Sequence, residues 1–364
     1  MKKTLLAMAV GATIVAAPVI AQADVKMFGK FQVELTNVDG GSSVDGVENN
    51  RTARNYDNFN RQGDYSGMSR IGFDASKDLG NGLKAIGRYA WGMNPSDGSN
   101  GSFAFARSQY IGLAGGWGAF IAGRVQSPYK TYGGVKWDPY VATFMEARRK
   151  GGMSGDATGH NGFVNDQVVY ASPVMAGIKF TAHYGIDEQA TSDTTGSLNG
   201  SWGAGISGVW GPVEVIGAYL NFRNRTSSGC SGPACGTDDI KQGKIGVRYK
   251  GNGLTAALQY ENVDNVGRQI ANGLATNNAA LEGKILFANL GYKFGNTLIA
   301  GNYGKTDADD ITVNGVKVGV SDITYWALGA RYYLAKKVST YIGYSETDQN
   351  DKYKLLGVGM RYDF

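Results

Sequence analysis

The chain has 364 residues, 42% of them hydrophobic, and a formal net charge of +5 at pH 7. The hydrophobic fraction excludes a disordered chain, because disordered chains contain too little apolar surface to form a core. The small charge excludes a dedicated nucleic-acid binder, which requires a concentrated basic face. Glycine contributes 55 residues and tyrosine 21, against 7 prolines. That composition favours long twisted strands in which aromatic rings lie flat on glycine backbone.

The first 23 residues read as a cleavable export signal. Two lysines supply a basic start, residues 5–20 are almost wholly apolar, and an A-x-A cleavage site ends at Ala23. We predict that residues 1–23 are a signal peptide and that residues 24–364 form one domain. Loss of the two lysines lowers the basic count from 36 to 34 against 31 acidic residues, which leaves a net charge of about +3.

Beyond residue 24, segments of about ten residues alternate between apolar and polar side chains, the period-two signal of outer-membrane strands. In the first segment Met27 and Phe31 share one face, while Lys30 and Glu34 lie on the other. Glycine-rich turns separate many of these segments. The predicted strands are 25–35, 70–78, 83–91, 105–113, 118–124, 166–172, 178–184, 202–210, 213–222, 244–249, 254–260, 285–294, 298–303, 323–334, 338–344 and 353–364.

Seven short turns and eight longer connections join these sixteen predicted strands. Short turns at one end and long loops at the other are typical of an outer-membrane barrel. An even count brings both termini to the short-turn end, where the first and last strands can pair and remove the open edge that lipid does not tolerate. The sequence therefore predicts an all-β fold, a sixteen-stranded antiparallel transmembrane β-barrel. A soluble β-sandwich is the alternative, but these strands are long and numerous for one.

The connection at residues 127–164 is long, and long loops without structure of their own are usually functional. It mixes acidic, basic and aromatic side chains, which would allow it to fold into the barrel and narrow the cavity. A surface insertion is the alternative. The charged residues are Lys130, Lys136, Asp138, Glu146, Arg148, Arg149, Lys150 and Asp156.

Several short motifs are similar to those of the trimeric general porins of Gram-negative outer membranes. They are FGK at 28–30, RIGF at 70–73, RSQYIGL at 107–113, VYASP at 169–173, YLAKK at 333–337 and GVGMRYDF at 357–364. The resemblance covers the whole mature chain. It implies a homotrimer among outer-membrane lipids and lipopolysaccharide, inserted by the outer-membrane assembly machinery, for which the terminal Phe364 is the signal.

The resemblance also implies that the third loop folds inward and faces a ladder of basic side chains on the opposite wall. The predicted constriction residues are Lys30, Arg70, Arg88, Arg107, Asp138, Glu146, Arg148 and Arg149. The first four are also expected on the lumenal face from the alternation of their strands. Phe163 stands where such porins often have a further basic residue. The loop carries at least as many basic as acidic residues, so its composition does not determine which acidic residues face the basic ladder.

The remaining chemistry is sparse. Cys230 and Cys235, in CSGPAC, are predicted to form a local disulfide in an oxidising envelope, since two cysteines without a nearby histidine are too few for a metal site. The predicted function is a general diffusion porin that passes small hydrophilic solutes and ions passively, not an enzyme, with no cofactor and no nucleic-acid partner. The alternatives are a substrate-specific outer-membrane channel and an outer-membrane hydrolase. A hydrolase would use His183 as its base, but no nucleophile motif lies near His183 in the sequence.

Overall fold

The structure is a computed structural model, and it describes residues 24–40, 59–60, 69–93, 105–148, 150–154, 163–186, 200–222, 239–264, 282–313, 316–318, 321–348 and 352–364. The predicted signal peptide, Arg149, Cys230 and Cys235 lie outside these residues. Within these ranges no helix is both long and apolar enough to cross a membrane.

Sixteen antiparallel strands form a closed barrel, as the sequence predicts. Each strand pairs with its neighbour in sequence, and the last pairs with the first. The strands are β1 (Asp24–Gly40), β2 (Ser69–Gly80), β3 (Leu83–Met93), β4 (Phe105–Gly115), β5 (Gly118–Gln126), β6 (Phe163–Ala171), β7 (Ile178–Gly185), β8 (Trp202–Trp210), β9 (Val213–Phe222), β10 (Ile240–Gly251), β11 (Leu254–Asp264), β12 (Gly283–Phe294), β13 (Thr297–Ala308), β14 (Ile323–Ala335), β15 (Val338–Asp348) and β16 (Lys352–Asp363). Phe59–Asn60 adds two residues beside β1, and Ile311–Val313 pairs with Val316–Val318 in a separate hairpin.

The seam of the barrel lies between β1 and β16. Residues 24–30 of β1 pair with β2, and residues 30–40 pair with β16. The N–H of Gly29 donates to the carbonyl of Phe364, and the N–H of Phe364 donates back to the carbonyl of Gly29, each at 3.1 Å. The Phe364 ring lies on Gly29, where any Cβ would overlap it. The terminal residue therefore takes part in closing the barrel.

The two faces of the sheet differ as the alternation predicts. Apolar side chains such as Val25, Met27 and Ile111 point outward and are exposed, whereas Lys30 and Glu34 point inward and are buried. A continuous exposed apolar surface on a closed barrel is the surface that hydrocarbon covers in an outer-membrane protein.

Many strands extend further toward the long loops than the alternation predicts. β13 was predicted over 298–303 but continues to Ala308, and β10 begins at Ile240 instead of residue 244. In the extension of β13, Lys305 and Asp307 point away from the lumen although they are charged, so the apolar face ends there. Ladder pairing nevertheless continues, since backbone hydrogen bonding does not depend on side-chain polarity.

Candidate pore constriction

The third long loop starts immediately after β5 with a helical turn, α1 (Pro128–Thr131). Ser127 caps it, because its Oγ accepts the N–H of Lys130 at 3.2 Å, and proline occupies the first helical position. A 3₁₀ turn at Gly134–Lys136 follows. The chain re-enters the sheet at Phe163, which pairs with Gln126. Both ends of the loop therefore leave the wall at one place.

The loop folds into the lumen and packs against one side of the wall. Aromatic and sulfur-containing loop residues that could have faced solvent, such as Tyr140, Phe144 and Met145, are fully buried. They form two apolar clusters, one with residues of β6, β9, β11 and β12 and the other with inner residues of β12–β16. The loop members of these clusters are Tyr129, Tyr132, Val135, Trp137, Tyr140, Phe144, Met145, Ala147 and Met153. The prediction of an inward-folded third loop is confirmed.

The inner face of β13 is the principal docking strip for the loop. Three of its alternate positions form hydrogen bonds to loop residues, which fix the loop along the strand. These bonds run from the Tyr140 hydroxyl to the Ala300 carbonyl (2.6 Å), from Asn302 Nδ2 to Asp138 Oδ1 (2.7 Å) and from Thr306 Oγ1 to the Gly151 carbonyl (2.8 Å).

Close approach explains why certain wall positions must be glycine. Gly304, between the hydrogen-bonding positions of β13, lies directly against the backbone of Gly152, and a Cβ at Gly304 would overlap it. Gly205 of β8 similarly receives the ring of Tyr132, which a Cβ would displace. Part of the high glycine content therefore seats the loop on the wall.

The two predicted acidic residues of the constriction stabilise the loop instead of facing the cavity. Asp138 accepts hydrogen bonds from the N–H groups of Tyr140 (2.7 Å) and Ala147 (2.8 Å), and Glu146 accepts one from the N–H of Ala142 (2.7 Å). Burial, and then the nearby Glu146 carboxylate, raise the pKa of Asp138 to about 6.

Arg148, predicted to stand in the constriction, forms a buried ion pair with Glu146 at 2.6 Å. Neither residue is among those that line the cavity. Because each charge is compensated by the other, the pair adds little to the net charge of the pore.

Two carboxylates of the barrel wall, which the sequence analysis did not predict as constriction residues, accept hydrogen bonds from the loop. Glu34 accepts hydrogen bonds from the N–H of Phe144 at 3.1 Å and from the Tyr341 hydroxyl at 2.6 Å. Glu261 accepts one from the Tyr129 hydroxyl at 2.6 Å. Both lie on the inner face of their strands. A carboxylate at a lumenal position of the alternation was the feature of the sequence that could have identified them.

A cavity of about 550 Å³ remains between the loop and the inner faces of β1–β9. Its lining is strongly basic. In the part of the chain that the structure describes, the lining contains one carboxylate, that of Glu214, which pairs with Arg248 and accepts a hydrogen bond from Trp137 Nε1 at 3.0 Å. The basic lining residues are Arg70, Arg88, Arg107, Lys136 and Lys179.

The predicted wall residues differ in how far their charge is compensated. Arg88 forms a two-point ion pair with Asp74 across the strand pair, at 2.6 and 2.7 Å. Arg70 and Arg107 form no ion pair with a described residue. Lys30 is buried beside Arg70, its partner in the ladder, and is not among the lining residues.

The loop adds a further positive charge to this wall through Lys136. Its Nζ lies 3.5 Å from Gln126 Oε1, an uncharged partner. Partial desolvation inside the barrel lowers the pKa of Lys136, and the charges of Arg70, Arg148, Arg107 and Arg88 lower it further. Three of these arginines, Arg70, Arg88 and Arg107, line the same cavity as Lys136.

A closed barrel with an apolar outer surface, a loop folded into its lumen and a polar cavity beside that loop defines an outer-membrane channel protein. A family profile described as Gram-negative porin matches residues 5–352. The chain belongs to the Gram-negative porin family, and it is an outer-membrane porin that forms a water-filled channel for passive diffusion.

Individual relatives agree with this family over their full length. The chain is 27% identical to the major outer membrane protein P.IB of Neisseria meningitidis serogroup A, with all of both chains covered. It is 26% identical to an outer membrane porin protein of Bordetella pertussis, again with complete coverage of both.

Solved structures share the fold at lower identity. An anion-selective porin from Comamonas acidovorans superposes with a TM-score of 0.69 at 17% identity, covering 94% of this chain and 100% of that one. OmpF of Salmonella typhi, in complex with daunomycin, superposes with a TM-score of 0.69 at 16% identity, covering 93% and 97%. At these identities the likeness extends to the fold.

Proposed function

We propose that this porin is a general diffusion channel for small hydrophilic solutes and ions, and that it favours anions among them. The observation that supports the anion preference is the charge of the cavity. Among the residues described, five basic side chains line it against one lining carboxylate. Arg88 is paired with Asp74 and the lining carboxylate with Arg248, so four of the five basic side chains form no ion pair with a described residue. The proposal includes no catalytic step, no cofactor and no nucleic-acid partner.

Physical chemistry supports a preference of moderate strength. Guanidinium groups stay charged even when clustered, because their intrinsic pKa lies above 12. Rings or walls of one charge sign bias permeation toward the opposite sign. The cavity is open to water, so the bias acts through a screened field and does not exclude cations.

The surroundings of His183 support a channel without hydrolase activity. A hydrolase requires a nucleophile beside the base and a third group that orients the base. His183 is buried, with its Nδ1 against the amide oxygen of Gln167 and its ring 6.0 Å from that of Phe222. The amide can orient the imidazole, but His183 Nε2 has no hydrogen-bond partner among the described residues, so no nucleophile stands beside the base.

Recording the purified protein in planar bilayers tests the proposal. With a tenfold KCl gradient around 0.1 M, we expect the reversal potential to lie between zero and the equilibrium potential of chloride. At about 1 M salt the Debye length falls to roughly 3 Å, so the preference should nearly vanish. A reversal potential shifted from zero toward the equilibrium potential of potassium would refute the anion preference. Saturable block by one solute class would instead favour the substrate-specific alternative.

We also propose that the protein is a homotrimer, inserted by the outer-membrane assembly machinery through the signal at Phe364 and surrounded by lipid and lipopolysaccharide. Unboiled protein should migrate as a trimer in detergent gels and as a monomer after boiling, because closed barrels resist detergent until heated. Sedimentation of the unboiled species at the mass of one chain would contradict the trimer.

The proposal treats residues 1–23 as a removed signal peptide and residues 24–364 as one barrel domain. It also pairs Cys230 with Cys235. Mass spectrometry of envelope protein should find the mature chain starting at residue 24 with this disulfide. Closing so short a loop contributes only about 2 kcal/mol in the chain-entropy estimate. Reduction should therefore leave conductance unchanged, and two free thiols in the isolated protein would contradict the pairing.

A further inference from the structure

Three cationic side chains surround the ring of Phe163. The distances from the ring centroid are 4.6 Å to Lys130 Nζ, 4.9 Å to Arg107 Cζ and 5.7 Å to Arg124 Cζ. All three lie within the range of cation–π attraction, which extends to about 6 Å. The cations belong to α1, β4 and β5, so the ring is the point at which three separate segments meet.

Two of these cations are buried without a carboxylate partner. Lys130 is 7% exposed and Arg107 is 6% exposed, and neither forms an ion pair with a described residue. A buried charge is unfavourable unless something compensates it. The negative face of the aromatic ring supplies such compensation, and it does so without neutralising the charge as a carboxylate would.

Local structure brings the three cations to the ring. Phe163 pairs with Gln126 at the entrance of the loop, and Lys130 follows four residues later in α1. Ladder pairing between β5 and β6 shifts its register between Gly123 and Val125, at the position of Arg124. Arg107 lies near a second register shift, in the pairing of β4 with β3.

We infer that Phe163 is a positioning residue for ion selectivity: its ring gathers Arg107, Arg124 and Lys130, and it holds Arg107, which lines the cavity beside it, without neutralising the positive charge that Arg107 presents to permeating anions. This inference rests on the proposed anion preference. It also gives a physical meaning to the uncharged residue at this position. A basic side chain here would add a fourth like charge, whereas the ring allows three charges to stand close together.

Two substitutions at this position separate the ring's electrostatics from its volume. Phe163→Leu retains an apolar side chain of similar size and removes the aromatic face, and Phe163→Tyr restores that face. We expect Phe163→Leu to lower the chloride-to-potassium permeability ratio at 0.1 M salt by roughly twofold to thirtyfold, the range to which cation–π energies correspond. Phe163→Tyr should restore the ratio of the unmodified channel.

The chain offers a matched control at Phe28. Its ring lies 4.6 Å from Arg88 Cζ and lines the same cavity, but the Asp74 carboxylate holds Arg88 independently. Phe28→Leu should therefore leave the permeability ratio nearly unchanged. Equal effects of the two leucine substitutions would overturn the inference.

Heat-modifiable migration verifies that each variant assembles. Should Phe163→Leu fail to assemble, site-specific incorporation of increasingly fluorinated phenylalanines at position 163 weakens the ring quadrupole at nearly constant shape. A graded fall in the permeability ratio supports the inference, and a constant ratio overturns it. Failure of the proposed function would be visible separately, as a cation-favouring reversal potential in the unmodified channel.

Discussion

Replacing Gly304 by alanine is expected to lift the loop from β13 and lower the single-channel conductance. The new Cβ would overlap the backbone of Gly152, and its close neighbours all belong to the loop, not to the wall. The loop therefore has to move away from β13 and further into the lumen. Overpacking of this kind typically costs about 1–3 kcal/mol. We expect a lower temperature of conversion to the unfolded form in detergent gels and a smaller conductance in bilayers.

Gly301→Ala is the matched control for this experiment. It lies in the same strand, and a Cβ there would meet only ordinary contacts, the closest at 3.4 Å. It should behave as the unmodified protein in both measurements. If Gly304→Ala also left conductance and thermal conversion unchanged, the docking of the loop on β13 would be refuted.

The barrel could be predicted from sequence because one physical constraint acts on every strand. Lipid on one side of the sheet and water on the other require apolar and polar side chains to alternate along each strand, and glycine-rich turns mark many strand ends. Where that constraint ends the prediction fails, as at residues 304–308 of β13, whose outward Lys305 and Asp307 no longer mark an apolar face. Strand ends on the loop side were therefore predicted too short.

The orientation of Arg107 shows a second limit. Counting by twos from the outward-facing Ile111 and Leu113 would place Arg107 on the outer face. It nevertheless lines the cavity, since the pairing of β4 with β3 shifts register between Tyr89 and Trp91. Its lumenal position was predicted from the family resemblance and from alternation, but alternation alone points the other way. A β-bulge leaves no reliable mark in a single sequence.

The loop was predicted to fold inward, but the partners of its charges could not be predicted. Asp138 and Glu146 have the residue type expected of an acidic constriction. Their carboxylates instead accept hydrogen bonds from backbone N–H groups of the loop's own turns. Which polar group a carboxylate meets depends on loop conformation, and that conformation is fixed by contacts with strands more than a hundred residues away, such as those of Asn302 and Glu261.

Replacing Arg70 and Arg107 together by glutamine is expected to shift the reversal potential toward cations and to increase the conductance. Both residues line the cavity, and neither has an ion-pair partner in the described ranges, so their removal changes the net charge of the wall. A unit charge about 4 Å from a passing ion contributes roughly 1 kcal/mol at the dielectric constant of water. Two such charges together contribute roughly 2 kcal/mol, and 1.4 kcal/mol corresponds to a factor of ten, so the double substitution should lower the chloride-to-potassium permeability ratio by more than tenfold.

The combination of Arg88→Gln with Asp74→Asn is the control for the double arginine substitution. It removes an ion pair from the same cavity without changing the net charge, because the two side chains compensate each other at 2.6 Å. It should leave the reversal potential unchanged at 0.1 M salt, where the Debye length of about 10 Å allows a net wall charge to act across the pore. A double arginine variant that matched this control in both conductance and selectivity would show that the basic wall does not determine which ions pass.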